Sequence, residues 1–391
     1  MRRPFPPVAR RWLLPLAALA LAVPLAGCTS PSAPDPAPMA DSPGGAAAAS
    51  SPVAELQAGL TALLMERVFV VAAATDALTS PGTTTGQAAL AALESSSEAL
   101  ASLLGATYSE AREPLLAALR RDDALIARHA AALGAGDAAA AGQARDELAQ
   151  AQGDLARVLR RVVPTLDVEE VTARLGADVR AQLAAGSYEQ LHDAAQEASG
   201  TARLLSAGIA ADRGLGSPSS EAVRLRADLT GLLTEHMLLS GALARELREP
   251  GAGSASARSA LAVNAELLAD ELGEAYAAAR APFLRSWTAH LDRLERYAAA
   301  RAAGGEGAAE RGLVLGYPAE LARLLAEYVR GLPAQSAQTE LEPALAAQLT
   351  AIDEAAAGSP EAPAALREAT TQVLPAAALI SAAIAQDLRL R

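Results

Sequence analysis

Three polar residues at predicted helix centres have the side chains best suited to chemistry. They are His236, Asn264 and His290, and each lies near the middle of a separate segment with helical apolar spacing. Helix centres lie at one height in an up-and-down bundle, so these side chains are expected to meet in one layer, with Gln372 as a fourth member. The sequence therefore predicts a polar layer that serves either as a hydrogen-bonded structural element or as a metal site.

A metal site on His236 and His290 is the alternative interpretation of this layer. Transition-metal sites need three or four nitrogen, oxygen or sulfur ligands, and these two histidines alone do not reach that number. Glu235 is one residue along the helix from His236 and so points elsewhere. We therefore expect the layer to consist of buried, hydrogen-bonded residues that fix helix register. The other histidines, His129 and His192, are interpreted as structural.

The remaining reactive side chain is Cys28, the only cysteine in the chain. It ends the sequence Leu25-Ala26-Gly27-Cys28, which matches the bacterial lipobox, where the cysteine thiol accepts diacylglycerol. An arginine-rich start and an uncharged apolar run precede it, as in a signal peptide. The sequence predicts a signal peptide over 1–27 and a lipid anchor, including palmitate, on the extracytoplasmic face of the cell membrane. The alternative is a secretory signal followed by a chance cysteine.

Enzymatic activity is not expected from the sequence. It contains no strand-to-helix nucleophile elbow and no phosphate-binding loop, and its single Glu-x-x-His sequence, Glu189 to His192, lacks the second, matched copy that a di-iron bundle needs. No cofactor is therefore expected beyond the covalent lipid. The formal net charge is −12 with scattered acidic residues, which argues against nucleic-acid binding. The expected partners are the membrane, through the lipid, and an envelope protein or small ligand.

The elements that position these residues are predicted to be helices throughout. Residues 28–53 are rich in Ser, Pro, Ala and Gly and are expected to form a disordered tether. Beyond it, apolar residues recur at three- and four-residue spacing, and Gly and Pro clusters divide the chain. Pro318 and Pro375 lie within helical pattern and are predicted to kink or break it. The predicted helices span 54–79, 84–104, 108–133, 137–163, 167–185, 188–213, 220–248, 255–279, 281–303, 306–330, 335–357 and 360–388.

The helical part also repeats itself at an offset close to 170 residues. The matching segments are 60–67 with 229–236, 105–108 with 273–276, 112–116 with 280–284, and 206–212 with 381–387. Ordered matches at a near-constant offset indicate a tandem duplication. Short connections make successive helices antiparallel neighbours. We therefore predict an all-α fold of two tandem up-and-down six-helix bundles, over 54–213 and 220–391.

The first copy carries a different set of residues in the predicted layer. Arg67, Ser96 and Asp122 align with the two histidines and the asparagine of the second copy. A cation and an anion can satisfy each other directly, whereas two histidines need another partner. The alignment therefore predicts a partly buried ion pair between Arg67 and Asp122.

Several short motifs resemble a family of uncharacterised bacterial exported proteins, which are often tandemly repeated and sometimes found beside copper amine oxidase-like N-terminal modules. The motifs are Glu235-His236, Asn264 with Leu267, Trp287 with His290 and Tyr297, and Arg367-Glu368-Ala369. Members of this family carry further histidines in the fifth and last helices, where this chain has Ala344 and Gln372. If the family's histidines bind a metal, the resemblance implies that the second copy has lost about half of the ligands and the first essentially all.

The expected function is that of a membrane-anchored envelope lipoprotein that acts as a non-catalytic helical binding or scaffolding module. The alternative is a metal-binding or redox-accessory protein that uses His236 and His290.

Overall fold

The structure is a computed structural model that describes residues 44–79, 84–249 and 256–390. All regular secondary structure in these ranges is helical, so the all-α prediction is confirmed. The α-helices are α1 (Gly45–Ala49), α2 (Pro52–Leu78), α3 (Thr84–Thr107), α4 (Arg112–Gly134), α5 (Ala138–Val162), α6 (Val168–Ala184), α7 (Tyr188–Arg213), α8 (Glu221–Arg248), α9 (Ser256–Ala275), α10 (Arg280–Ala302), α11 (Ala308–Leu315), α12 (Tyr317–Tyr328), α13 (Ala334–Ala357), α14 (Ala362–Gln372) and α15 (Leu374–Leu388).

Local sequence signals account for many of the helix ends. The side chains of Ser51, Asp137, Asp167, Ser187 and Ser220 each accept a hydrogen bond from a backbone N–H in the first turn of the helix that follows. Such N-caps satisfy N–H groups that have no partner inside the helix.

The two internal prolines singled out in the sequence also act as predicted. Pro318 and Pro375 each occupy the second position of a new helix, and the helical pattern is divided there into α11 and α12 and into α14 and α15. A proline costs little at this position because the N–H that it lacks would have no helical partner.

Helices α2 and α8 lie parallel and in contact. Glu55 and Arg226, near their N-terminal ends, form an ion pair with a distance of 3.2 Å between Oε2 and Nη2. Farther along, Gly231 of α8 lies against Met65 of α2. Helices α3, α4, α6 and α7 pack against α2, and α9, α10, α13, α14 and α15 pack against α8. We call residues 52–213 the N-terminal region and residues 221–388 the C-terminal region.

The described chain begins inside the segment predicted as a tether. Gly45–Ala49 form the short helix α1, which packs on α15 and α8, and Ala49 is fully buried. A Cβ atom on Gly45 would collide with the carbonyl group of Ala385, so only glycine allows this close approach. The prediction of disorder up to residue 53 is therefore wrong for these residues. Cys28, the lipobox and the rest of the predicted tether lie outside the described residues.

Matching positions in the two regions make matching contacts. The Tyr108 hydroxyl donates to Asp212 at 2.7 Å, and the Tyr276 hydroxyl donates to Asp387 at 2.8 Å. A Cβ on Gly105 would meet the Arg112 side chain at 2.8 Å, and a Cβ on Gly273 would meet that of Arg280 at 3.0 Å. These residues belong to the segments that repeat in the sequence, so the repeated motifs have the same packing roles in both regions.

Two helical stretches of the described chain, Pro52–Leu78 and Ala362–Leu388, are long and apolar enough to cross a membrane by length and composition alone. Within the fold, 61% and 56% of their most apolar windows are buried against other helices. More than half of each apolar stretch therefore belongs to the core of the fold.

Candidate functional site

The structure brings His236 of α8 and His290 of α10 together. Their ring centroids lie 5.7 Å apart, and the residues are 1% and 2% exposed. Trp287 packs edge-on against His236 with a centroid distance of 4.9 Å. Tyr317 of α12 stacks on His290 at 4.0 Å. The two histidines thus lie inside an aromatic cluster with little room for water.

Gln348 of α13 provides the polar partner of His236. Its amide nitrogen lies 2.9 Å from His236 Nε2 and 2.7 Å from Ser240 Oγ. An amide nitrogen only donates, so His236 Nε2 accepts and the ring carries its proton on Nδ1. Burial lowers the pKa of His236 to about 3. Burial, followed by the neighbouring His236, lowers the pKa of His290 well below its ordinary value. Both imidazoles are therefore neutral at physiological pH.

Asn264 and Gln372 do not join the two histidines. The Asn264 amide donates to the Leu232 carbonyl at 2.9 Å and to Glu235 Oε2 at 3.0 Å. Gln372 lies near the surface and donates to Glu368 at 2.6 Å. The predicted four-residue layer is thus corrected to two histidines and Gln348, a residue that the sequence analysis did not single out.

Glu235 forms a second buried network, pointing away from His236. It is fully buried, and its Oε1 atom lies 2.7 Å from Nδ1 of His192, on α7 of the N-terminal region. The hydrogen bond to Glu235 raises the pKa of His192, while burial opposes that shift. The interpretation of His192 as structural is compatible with this contact. The other such histidine, His129, is buried with its Nδ1 atom 2.9 Å from the Ala141 carbonyl oxygen.

In the N-terminal region the partner of Arg67 is Asp123, so the prediction of an Arg67–Asp122 ion pair is wrong. Arg67 Nη2 lies 2.7 Å from Asp123 Oδ1, and the side chains are 9% and 12% exposed. The Ser97 hydroxyl accepts from Arg67 at 3.0 Å and donates to Asp123 at 2.6 Å. One residue along a helix rotates the side chain by roughly 100°. Asp122 therefore points to a different neighbour, Gln152, whose amide donates to it at 3.0 Å.

Asp122 faces a small interior cavity of about 60 Å³ in the N-terminal region, and Asp178 of α6 also lines it. Burial raises the pKa of both carboxyl groups to about 6. Ser96, which the alignment placed in this layer, is fully buried, and its hydroxyl makes no hydrogen bond within the described chain. This space is too small for an organic ligand of ordinary size.

Glu66 on α2 aligns with Glu235 on α8, and its surroundings correspond as well. Glu66 accepts a hydrogen bond from Thr370 at 3.1 Å and lies 3.8 Å from Arg367 Nη1, both on α14. Arg367 aligns with His192 in the repeat. Each of these buried glutamates therefore contacts a basic residue that belongs to the other region.

A cavity of about 410 Å³ lies between the two regions. The C-terminal parts of α2 and α8 and the starts of α3, α7 and α14 surround it. Its larger apolar side chains are Phe69, Val70, Leu191, Leu238 and Leu366. Small alanines from α2, α3, α8 and α14 provide much of the remaining surface. This volume falls within the roughly 300–1,000 Å³ typical of small-molecule sites.

The polar groups of this cavity occupy defined positions. The charged side chains of the lining are Arg245, Arg248, Arg367, Glu66, Asp76 and Glu249, and Tyr188 also belongs to it. Arg245 Nη2 donates to the Tyr188 hydroxyl at 2.6 Å. A few convergent polar groups in a mostly apolar cavity are typical of ligand-binding sites.

The sequence repeat gives this cavity an equivalent place at the C-terminal end of α8 and the start of α9. Hydrogen bonds at the start of α9 close this place. Ser256 Oγ donates to Glu189 at 2.7 Å and accepts from the Tyr188 backbone N–H at 2.8 Å. The Ala257 N–H donates to Glu246 at 3.1 Å. These bonds fasten α9 to α7 and α8.

The residues that close this place have alanine counterparts in the N-terminal region. At the offset that aligns Arg67 with His236, Glu246 corresponds to Ala77. At the offset that aligns Tyr108 with Tyr276, Ser256 corresponds to Ala88. Both alanines line the open cavity. An alanine side chain cannot form such hydrogen bonds, so the bonds that fasten α9 to α7 and α8 have no counterpart from Ala77 and Ala88 at the cavity.

Metal ligands are sparse in the described ranges. No group of three or more His, Cys, Asp or Glu side chains there has an arrangement that could hold a metal ion. His236 and His290 each keep a buried Nδ1 atom without a hydrogen-bond partner within the described chain.

Comparison of the chain with protein-family models, with curated proteins and with solved structures finds no match. The resemblance to exported tandem-repeat proteins therefore stays a prediction from the sequence motifs.

Proposed function

We propose that this chain is an envelope lipoprotein, anchored by lipid on Cys28 at the extracytoplasmic face of the membrane. We also propose that it is a non-catalytic module that binds a small ligand between its two regions. The cavity of about 410 Å³ is the observation that carries the binding part of this proposal. The lipobox carries the localisation. No nucleic acid is part of this function.

The cavity has three properties expected of a ligand site. Its volume is large enough for an organic molecule, its lining is mostly apolar, and arginine and tyrosine side chains are held at its wall. The corresponding place in the repeat is fastened shut by Ser256 and Glu246. The alanine counterparts of these two residues, Ala88 and Ala77, line the cavity, which favours an opening determined by particular residues of this sequence.

Tandem duplication is part of the same proposal, with 54–213 and 220–391 as two six-helix units that share the parallel helices α2 and α8 at their interface. The matching Tyr–Asp hydrogen bonds and glycine contacts support it. The reciprocal contacts of Glu66 and Glu235 support it too. An experimental structure in which the two units superpose helix for helix tests this proposal, and a different helix order in one unit would contradict it.

The metal-binding or redox-accessory alternative has one favourable observation, which is the pair of buried, unpartnered Nδ1 atoms on His236 and His290. The hydrogen bond from Gln348 to His236 Nε2 leaves the ring proton on Nδ1, so this atom has no lone pair for a metal, and two ligands would fall short of a transition-metal site. Elemental analysis of the purified protein separates the two functions. One metal ion per chain that is lost in the His236→Gln variant would favour the alternative.

The binding proposal can be tested by filling the cavity. The experiment uses residues 43–391, which form one compact unit. Ala73 lines the cavity, so Ala73→Phe should reduce the space and weaken binding of a neutral fluorescent apolar probe such as Nile red. The matched control is Ala131→Phe, because Ala131 is exposed on α4 and does not line the cavity. Equal binding by the two variants and the unmodified chain would contradict the proposal.

A further inference from the structure

The charges around the cavity between the two regions indicate which kind of ligand it accepts. Three arginines line it, namely Arg245, Arg248 and Arg367, and so do three carboxylates, namely Glu66, Asp76 and Glu249. Arg367 lies near the buried Glu66, and Arg248 is paired with the exposed Glu249. These two cations are at least partly compensated by carboxylates of the chain.

Arg245 is different, because no carboxylate lies within ion-pairing distance of it in the described part of the chain, and Asp76 and Glu249 act on it only at longer range. Its Nη2 atom is held by the Tyr188 hydroxyl, which fixes the side chain at the cavity wall. A guanidinium has five N–H donors in a fixed planar arrangement that matches a carboxylate or phosphate group. The remaining donors of Arg245 are therefore suited to an anionic group of a ligand.

The start of α14 lies on the same part of the lining. Gly358, Ser359 and Pro360, which lead into α14, line the cavity together with Arg245 and Arg248. A Cβ on Gly358 would collide with the Arg248 guanidinium, and the φ of this glycine is +67°, so the loop and Arg248 are closely fitted. The first turn of a helix carries partial positive charge, which adds to the attraction for an anion.

Away from these arginines, the lining consists mainly of Phe69, Leu238, Leu366 and alanines. Such a surface gains free energy by burying a hydrocarbon chain, at about 25 cal/mol for each Å² removed from water. The cavity therefore combines the remaining guanidinium donors of Arg245 with an apolar interior.

We propose that the ligand is a single-chain amphiphile with an anionic carboxylate head, whose head binds Arg245 and Arg248 and whose hydrocarbon chain lies against Phe69, Leu238 and Leu366. This inference rests on the proposed function, because it assigns the ligand class of the same cavity. The carboxylate head of the ligand accepts charge-assisted hydrogen bonds from the arginines. The hydrocarbon chain of the ligand covers apolar side chains that would otherwise be exposed in the cavity.

Titration calorimetry of residues 43–391 with three probes of equal chain length tests the proposal. The probes are dodecanoate, dodecanol and dodecylammonium, each kept below the concentration at which it forms micelles or separates from solution. Dodecanoate is expected to bind with one molecule per chain and more tightly than the other two. The Arg245→Gln substitution is expected to weaken the affinity for dodecanoate by at least about tenfold, because loss of a hydrogen bond to a charged group has about this effect.

Controls separate charge from fold. The matched variant Arg145→Gln removes an exposed arginine that does not line the cavity and is expected to leave dodecanoate binding unchanged. The comparison among the three probes on the unmodified chain remains decisive even if Arg245→Gln folds poorly. Ala73→Phe is expected to weaken the binding of all three probes.

Two results would overturn the assigned ligand class while leaving the proposed function standing. In the first, dodecanol or dodecylammonium binds as tightly as dodecanoate, and Ala73→Phe still weakens that binding. In the second, a folded Arg245→Gln variant binds dodecanoate as tightly as the unmodified chain, while Ala73→Phe weakens dodecanoate binding. If no probe binds, or if Ala73→Phe changes nothing, the proposed function fails together with this inference.

Discussion

Removal of either partner of the Arg67–Asp123 ion pair should be among the most destabilising single changes in the N-terminal region. The nitrogen–oxygen distance is 2.7 Å, and the side chains are 9% and 12% exposed. Loss of one partner leaves the other charge buried and uncompensated, which typically costs about 3–5 kcal/mol. Removing both partners leaves no such charge, so the double variant should cost less than the sum of the single variants, by up to about 3 kcal/mol.

The neighbouring Asp122 provides a matched control for this prediction. It is similarly buried, but its hydrogen bond goes to Gln152, so Arg67 affects it only through a weaker electrostatic interaction. The coupling energy between Arg67→Ala and Asp122→Ala should therefore be clearly smaller than that between Arg67→Ala and Asp123→Ala.

Urea denaturation of residues 43–391, followed by circular dichroism at pH 7, measures all of these variants. Two double-mutant cycles, one with Asp123→Ala and one with Asp122→Ala, share the Arg67→Ala variant. A larger coupling energy for Asp122 than for Asp123 would refute the assignment of the pair and the helix register on which it depends.

Three further predictions concern titration and anchoring. Burial raises the pKa of Asp122 in the folded state to about 6, against an ordinary value of 3.8, so the folded state keeps this proton to higher pH than the unfolded state. The free energy of unfolding should therefore fall as the pH rises from about 4 to 6. Asp122→Asn should reduce this slope in urea melts, and an unchanged slope would count against the burial of this carboxyl group. Burial lowers the pKa of His236 in the folded state to about 3, so the unfolded state takes up the proton first as the pH falls. The free energy of unfolding should therefore decrease below pH 6.5, by about 2 kcal/mol at pH 5. His236→Gln should lack this contribution, and identical pH profiles of stability for the variant and the unmodified chain would contradict the prediction. Cys28→Ala should abolish lipid attachment, as measured by mass spectrometry, and release the protein from membranes, and retention after a carbonate wash would show that another anchor exists.

The sequence was sufficient to place the helices because their ends carry strong local signals. Capping Ser and Asp residues and Gly–Pro clusters locate most of the ends, and Pro318 and Pro375 locate two internal breaks. The short helix α1 was missed because five alanine-rich residues have no helical periodicity. Tertiary packing on α15 and α8 stabilises it instead.

The partners of the polar residues were harder to predict. Helix spacing alone placed His236 near His290, but it could not identify Gln348, one turn beyond Ala344 on α13. The choice between Asp122 and Asp123 depends on the rotation of α4 about its axis, which the weak amphipathic pattern of an alanine-rich helix does not fix. The same limit applies to the cavity between the regions. Its defining residues include Ala77 and Ala88, which have no distinctive side chains in a chain rich in alanine.

Native mass spectrometry of the mature protein recovered from cell envelopes tests the central claim most directly, because it detects a ligand without choosing one in advance. The proposed function predicts a noncovalent adduct of one small molecule per chain on the unmodified protein and on Ala131→Phe, and its loss from Ala73→Phe. The measured masses would contradict the proposed function if all three proteins carried no adduct, or if Ala73→Phe retained the same adduct as the other two.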